Sequence, residues 1–289
     1  MLAAARAHLG ERGQPHTLTA HFEFINRAST GPGIITVEEL KLGRQTSTLQ
    51  LTLWQGEGLV PEAPWVIKSK TQRIVIALAT QTNLEKATGF SAPTGWAVTD
   101  AKFHPAKPDL EALLKNGGDE TLVEAPIPKG SDAILNSLKQ WHMFIPRNGS
   151  LSPGTLDMWM CLRSGEPITQ ATLPFVADGF PYSLLDFLVS PQFNEDKKKK
   201  QQSTGPEPEP ELWMPTIAMN LDTKKLLPQN GVKWLNMRAT GKDIKNGNLD
   251  IELVVRDEDG EIVALSQQVL LILTMARNMT RSTKPKSSL

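Results

Sequence analysis

Lys41-Leu42-Gly43-Arg44 runs into Thr48-Leu49-Gln50-Leu51-Thr52-Leu53-Trp54 and on to Gly56-Glu57-Gly58. The pattern returns late in the chain. There Lys245-Asn246-Gly247-Asn248 runs into Leu249-Asp250-Ile251-Glu252-Leu253-Val254-Val255, which closes on Asp257-Glu258-Asp259-Gly260. Alternation of this kind puts apolar side chains on one face of a sheet and polar ones on the other. Each copy reads as a strand entered through a tight turn and left through a second turn rich in Gly or Asp. Two such strands imply one β-rich unit duplicated in a single chain, with an active site between the copies.

Working outward, Met1 to Glu11 reads as an alanine-rich helix that stops near Gly10 and Gly13. Strands follow at Leu18 to Asn26, with Ala20, Phe22 and Phe24 on one face, and at Ile34 to Leu42, Thr46 to Gln55 and Ile74 to Thr80. Ser91 to Pro128, rich in Pro, Asp and Gly, reads as a surface connection with at most one helical turn around Leu110 to Lys115. In the second half, Trp141 to Pro146 and Leu156 to Arg163 read as strands and Tyr182 to Val189 as a short helix. Further strands are expected at Thr216 to Leu221, Lys233 to Thr240, Leu249 to Arg256 and Ile262 to Thr274. Both halves share an order, a helix and then long antiparallel strands. A helix enclosed by a curved antiparallel sheet, an α+β arrangement, buries its apolar side without parallel crossovers. The division falls into residues 1–130 and 131–280, with a disordered loop at 194–211 and a flexible tail at 281–289.

Composition excludes several classes of function. With 31 basic and 31 acidic residues the formal net charge is zero, so no global field favours nucleic acid or an anionic membrane. The four consecutive lysines at 197–200 are answered by the Pro-Glu repeats that follow, which marks a solvated segment rather than a nucleic-acid contact. A single cysteine, Cys161, allows no internal disulfide and fits a reducing compartment. No run approaches the roughly eighteen apolar residues of a membrane span. Arg6 and His8 interrupt the N-terminal apolar stretch as a signal-peptide core. A cytoplasmic protein is expected. The C-terminal Ser287-Ser288-Leu289 offers a weak peroxisomal alternative, because it lacks the basic middle residue.

Common catalytic signatures are missing. Gly89-Phe90-Ser91-Ala92-Pro93 lacks the final glycine of a nucleophile elbow, and no glycine-rich phosphate cradle opens a helix. His8, His16, His21, His104 and His142 show no metal-ligand spacing, so no metal is expected. Cys161, set among Met158, Met160 and Leu162, reads as a packed thiol rather than a nucleophile.

Two blocks carry a resemblance. His16-Thr17-Leu18-Thr19-Ala20-His21-Phe22-Glu23-Phe24 continues through Leu40 to Leu49, and Leu221-Asp222-Thr223-Lys224-Lys225-Leu226-Leu227-Pro228 continues through Asp259 to Gln268. With the order of elements, they resemble the double-hotdog acyl-CoA thioesterases, and among these the thioesterase-like proteins of filamentous fungi. The resemblance covers most of the chain. It implies a double hotdog, an acyl-CoA or acyl-carrier thioester as substrate, no cofactor beyond the CoA of that substrate, and homo-oligomerisation through the sheets. In bacterial relatives an Asp at the start of the second hotdog helix, a Thr or Ser on a strand and a Gln on the last strand hold a water against the thioester carbonyl. Asp178, just ahead of Phe180-Pro181, and Gln268, eight residues after Gly260, stand at two of these places. Spacing back from Pro228 and Trp234 puts Ala218 at the third, and Thr216, two residues earlier, is expected to reach the site only after a shift of the strand. Relatives also have a strand before the first helix, whereas here Met1 falls inside it, so either a truncated gene model or a first copy without its edge strand is expected.

The chemistry agrees with this assignment. Thioester hydrolysis needs a base for water and donors where charge develops on the carbonyl oxygen. An Asp among Val176, Ala177 and Phe180 is desolvated towards a useful pKa. Gly179 is expected to let backbone approach the ligand, and a helix N-terminus to face the carbonyl. The resulting expectation is hydrolysis of medium or long acyl thioesters, with Asp178, Gln268 and Thr216 as the catalytic set. Two other readings stay open. One is a non-catalytic acyl or polyketide binder, favoured by Ala218. The other is an enzyme that releases, cyclises or dehydrates a carrier-bound chain in a secondary-metabolite pathway.

Overall fold

A computed structural model describes residues 1–94, 96, 107–127, 136–204 and 212–274, with only the backbone at 197, 198 and 200–204. In the first half, α1 (Leu2–Gly10) precedes β1 (His16–Phe24), β2 (Ile34–Lys41), β3 (Ser47–Gln55) and β4 (Gln72–Thr82). A middle segment carries α2 (Leu110–Asn116), β5 (Leu122–Glu124), β6 (Trp141–Pro146) and β7 (Thr155–Leu162). Three helices follow, α3 (Leu173–Ala177), α4 (Leu184–Leu188) and α5 (Pro191–Thr204). The chain then forms β8 (Leu212–Trp213), β9 (Thr216–Thr223), β10 (Leu235–Lys245), β11 (Asn248–Arg256), β12 (Ile262–Leu271) and β13 (Leu273–Thr274).

Eleven strands join one antiparallel sheet in the order β2-β3-β4-β1-β9-β12-β11-β10-β7-β6-β5, and β8 pairs with β13 apart from it. The order is a mirror about its middle: β1 and β9 lie side by side, and β4-β3-β2 on one flank answers β12-β11-β10 on the other. The two quoted strands, β3 and β11, occupy matching places. Beyond β10 the sheet continues through β7, β6 and β5, while β2 ends it on the other side among the described residues.

Both central strands carry a bulge near their start. In β1, Thr17 pairs with Gln81 and Thr19 with Thr80, so Leu18 has no partner on β4. In β9, Thr216 pairs with Leu270 and Ala218 with Val269, so Ile217 has none on β12. An inserted residue of this kind changes which face the residues before it present. The two registers equate Thr17 with Thr216, Gln81 with Leu270 and Ala79 with Gln268.

One apolar layer lies on the inner face of the sheet. Ala5 and Leu9 of α1 are fully buried, together with Ala20, Leu49, Leu51 and Ala77 of the strands beneath. Phe22 is buried as expected, and Phe24 is half-buried. A second cluster covers the outer face at the other end, where Leu110 and Leu113 of α2 pack with Phe144, Trp159, Cys161 and Trp234. This is why β7 is buried on both faces and does not alternate. Beside that cluster Arg238 clamps Asp157 with two nitrogens, Nε at 2.9 Å and Nη2 at 2.6 Å, and so ties β10 to β7 within the interior.

Two expectations are corrected. Residues 194–204 lie within α5 rather than a disordered loop, while 205–211 and the tail at 281–289, with Ser287-Ser288-Leu289, are outside the described residues. Helix formers dominate α5, and Ser190 Oγ accepts the Phe193 N–H at 3.2 Å just ahead of Pro191, a cap the lysine run obscured. The connection from Ser91 holds more structure than one turn. α2 spans seven residues, started by Asp109, whose side chain accepts the Ala112 N–H, and ended by left-handed Gly117. β5 lies in the same stretch. The rest of that connection is partly outside the described residues.

Candidate active site

Thr216 opens β9 directly after Pro215, which has no N–H to give to a ladder and suits the irregular start of a strand. Across the sheet Gln268 pairs with Met219, whose side chain faces the core. In a regular strand Thr216 would share the face of Ala218, away from Gln268. The bulge at Ile217 reverses this. Thr216 Oγ1 lies 2.9 Å from Asp178 Oδ1 and 3.5 Å from Gln268 Oε1. The three residues are brought together, and Ala218 is not among them: it pairs with Val269 on β12 and Glu23 on β1.

Asp178 follows the last turn of α3. Solvent reaches it, yet protein surrounds it on most sides. That enclosure raises its carboxyl to about 6, and the Thr216 hydroxyl, which favours the charged form, opposes the rise. Asp178 caps no helix N-terminus. α4 begins only at Leu184, so the expected helix dipole is not at this carboxylate. Gly179 also differs from expectation. It is buried, and a Cβ there would lie 3.3 Å from the Met160 methyl and 3.2 Å from the Val176 carbonyl oxygen, so its bare Cα serves packing rather than ligand approach.

Gln268 is buried and its amide hydrogens are spent. Nε2 donates to the Ala177 carbonyl at 2.7 Å and lies 3.3 Å from Ser266 Oγ, which itself donates to Asn220 O at 2.6 Å. Ala177 immediately precedes Asp178, so Gln268 fixes the backbone that carries the carboxylate. It leaves only an acceptor, Oε1, towards Thr216. Asp178 and Thr216, with Gln268 buried behind them, border a cleft of about 260 Å³ whose walls include Leu138, Phe180, Tyr182, Trp213, Met214 and Leu270. A cleft with these apolar side chains beside a carboxylate and a hydroxyl can take a hydrocarbon chain and a water at the polar pair. Among the described residues no group of His, Cys, Asp and Glu is arranged to hold a metal ion.

Sequence comparison agrees with this geometry. Residues 1–82 match the model of the acyl-CoA thioesterase N-terminal domain and residues 119–272 that of the acyl-CoA thioesterase C-terminal domain. The chain belongs to the acyl-CoA thioesterase family. It is a thioester hydrolase, and it is 49% identical over 305 aligned residues to the thioesterase-like protein TwmA of Talaromyces wortmannii, covering 100% of this chain and 86% of that protein. Two solved structures share its fold. One is a protein with the hot dog fold from Alicyclobacillus acidocaldarius, with a TM-score of 0.57 at 17% identity over 90% of this chain and 79% of that one. The other is acyl-CoA thioesterase II TesB2 of Mycobacterium marinum, with a TM-score of 0.53 at 16% identity over 94% of this chain and 88% of that one.

The sequence grouped Asp178, Gln268 and, after a shift of the strand, Thr216; the structure brings these three side chains together, and the bulge at Ile217 is that shift. The missed signal is the proline ahead of each central strand, Pro15 and Pro215, which marks an irregular entry. Cys161 is the packed thiol expected, buried in the outer cluster with its pKa pushed up to about 11 by desolvation. Among the described residues no helix is long and apolar enough to cross a membrane.

Proposed function

We propose that this thioesterase hydrolyses medium- or long-chain acyl-CoA to the free acid and CoA, with Asp178 as the general base. The observation that carries the reading is the Thr216–Asp178 hydrogen bond on the wall of a cleft shared with apolar side chains, with Gln268 beside it. A water held between the Asp178 carboxylate and the Thr216 oxygen would add to the thioester carbonyl while Asp178 takes its proton. The tetrahedral adduct then expels the CoA sulfur, and the proton on Asp178 passes to that thiolate, giving one acid and one thiol per water consumed. A carboxyl near 6 is ionised at neutral pH yet close enough to it to exchange a proton in each direction. Gln268 acts by holding Ala177, and with it Asp178. The hydrogens of Thr216 and Gln268 are committed to Asp178, Ala177 and Ser266, so the carbonyl oxygen takes its donors from elsewhere in the cleft, from backbone or from water.

We further read the chain as a double hotdog. The mirror order of the sheet supports two copies, and β2, with no strand beyond it among the described residues, fits a first copy without the strand that β7 supplies to the second. A boundary between Thr82 and residue 119 keeps β5 with its partner β6, which a cut after residue 130 would separate. Thr216 beside Asp178 removes the argument that Ala218 lent to a non-catalytic binder. The test is a hydrolysis screen of acyl-CoA from short to long chains, with Asp178→Asn as control. Turnover that peaks at medium or long chains and is lost in Asp178→Asn is expected. Equal turnover by both proteins on every acyl-CoA would sink the mechanism.

A further inference from the structure

The first half holds a counterpart of the site with different chemistry. Thr17, equated with Thr216 by register, accepts a hydrogen bond from Gln81 Nε2 at 2.7 Å. No Asp or Glu side chain among the described residues bonds to Thr17. It lines a cleft of about 400 Å³ between α1 and the end of β9, larger than the cleft at Asp178. Apolar walls come from Leu2, Leu173, Leu221 and Leu227.

The polar groups of this cleft are sorted by what the protein already uses. The Thr17 oxygen accepts from Gln81, which leaves its O–H to donate. His16 Nδ1 accepts the Leu84 N–H at 3.2 Å, which fixes the tautomer and leaves Nε2–H to donate. Gln170 Oε1 accepts the Leu227 N–H at 3.1 Å, so its amide hydrogens remain. Arg6, a fourth donor, makes no ion pair among the described residues and lies near enough to His16 to help lower its pKa. Glu85 stands on the same rim and opposes Arg6 in its effect on His16. Four donors turned into an apolar cleft call for a ligand that is an acceptor at one end and hydrocarbon at the other.

We propose that this cleft is a second, non-hydrolytic site that binds a monocarboxylate with an apolar tail. Thr17, His16 and Gln170 hold the carboxylate, Arg6 supplies its countercharge, and the tail lies against Leu2, Leu173 and Leu221. With no carboxylate bonded to Thr17 as Asp178 is to Thr216, a bound ligand is held and not turned over. That the natural ligand is the acid released at Asp178 rests on the proposed hydrolysis; the carboxylate binding itself does not.

Calorimetric titration of the full chain with decanoate tests this, with decanol as a neutral probe of equal length and turnover of decanoyl-CoA followed separately. Thr17→Val should weaken decanoate binding by at least about tenfold, the loss expected when one hydrogen bond to a charged group goes. Arg6→Gln should weaken it about two- to fivefold. Ala3→Trp, which fills the cleft from an exposed position, should abolish it, and all three variants should keep the wild-type rate on decanoyl-CoA. The proposal fails if decanol binds as tightly as decanoate, or if decanoate affinity ignores Thr17→Val and Ala3→Trp and follows Thr216→Val instead. Intact decanoate binding without any turnover would sink the hydrolytic reading and leave this site standing.

Discussion

Thr17 and Thr216 occupy matching places in the two halves, each brought to the core face by a one-residue bulge, yet their neighbours differ in one decisive respect. Thr216 donates to a carboxylate, whereas Thr17 receives from an amide. The strand partners differ to match. Where β12 has Gln268 reaching back to Ala177, β4 has Ala79, and its glutamine stands two residues further on as Gln81, directly across from Thr17. On a matching register, Thr216 therefore meets a carboxylate in the second half where Thr17 meets an amide in the first. Under the proposed function, local side chains rather than the fold decide which half does chemistry.

The sharpest way to break this comparison is to remove the base. Asp178→Asn keeps the shape and the acceptor facing Thr216 but cannot take a proton, so kcat/KM on a medium-chain acyl-CoA should fall about 10²- to 10⁴-fold. Thr17→Val, the matching change in the first half, should leave that rate as it is. Steady-state kinetics on the two variants decide the point. A fall of less than tenfold for Asp178→Asn, or an equal fall for Thr17→Val, would erase the proposed difference between the halves.

Thr216→Val probes the hydroxyl and its effect on the carboxylate together. The loss of one preorganised polar group at the reacting centre should cost roughly 10²-fold in kcat. The hydrogen bond from Thr216 favours the charged form of Asp178, so its removal should also move the acid limb of the pH–rate profile above the value of about 6 expected for the wild type. Activity should fall below that pH in the wild type because the base becomes protonated. An acid limb that stays in place in Thr216→Val would separate the hydroxyl from the carboxylate.

Gln268→Met asks whether the amide works by position. It strands the Ala177 carbonyl and Ser266 in the interior, with an expected stability cost of about 1–3 kcal/mol. If Gln268 acts through Ala177, kcat should drop about tenfold while the acid limb stays near 6, since Thr216 and the enclosure of Asp178 remain. A drop as large as that of Asp178→Asn would assign Gln268 a direct part in the reaction.

How much of this was legible in the sequence follows from what each residue depends on. Leu49 to Trp54 and Leu249 to Val255 announced their strands through period alone, and β3 and β11 lie where the alternation put them. Asp178 and Gln268 were singled out because the family resemblance ties them to nearby landmarks, and the structure sets them around Thr216. Ala218 was put at the third place, and Thr216 there only after a shift, because which residue faces the site depends on one extra residue, Ile217, and period-two reasoning fails at such an insertion. β5 and α5 were missed for opposite reasons. The first is three residues long, and the second is a polar helix with no apolar stripe to reveal it.

The smallest expected effect concerns stability and tests the enclosure of Asp178 directly. Its carboxyl titrates near 6 in the folded protein and near 3.9 in an unfolded chain, so the folded state holds the proton more tightly. The stability contributed by this group is therefore greatest below the unfolded value. It declines as pH rises from about 4 to about 6 and stays at its lower level above that. Asparagine carries no charge at any of these values. Asp178→Asn should match the wild type in Tm near pH 4 and exceed it at pH 7.5, by of order 2 °C because solvent reaches the carboxylate and screens part of the cost. Thr17 has no carboxylate beside it, so Thr17→Val should show no such divergence between the two pH values. Melting curves of the three proteins at both pH values are sufficient. A constant offset between Asp178→Asn and wild type would mean that Asp178 is as well hydrated as any surface carboxylate, and the chemical contrast between the two halves would then rest on Thr216 alone.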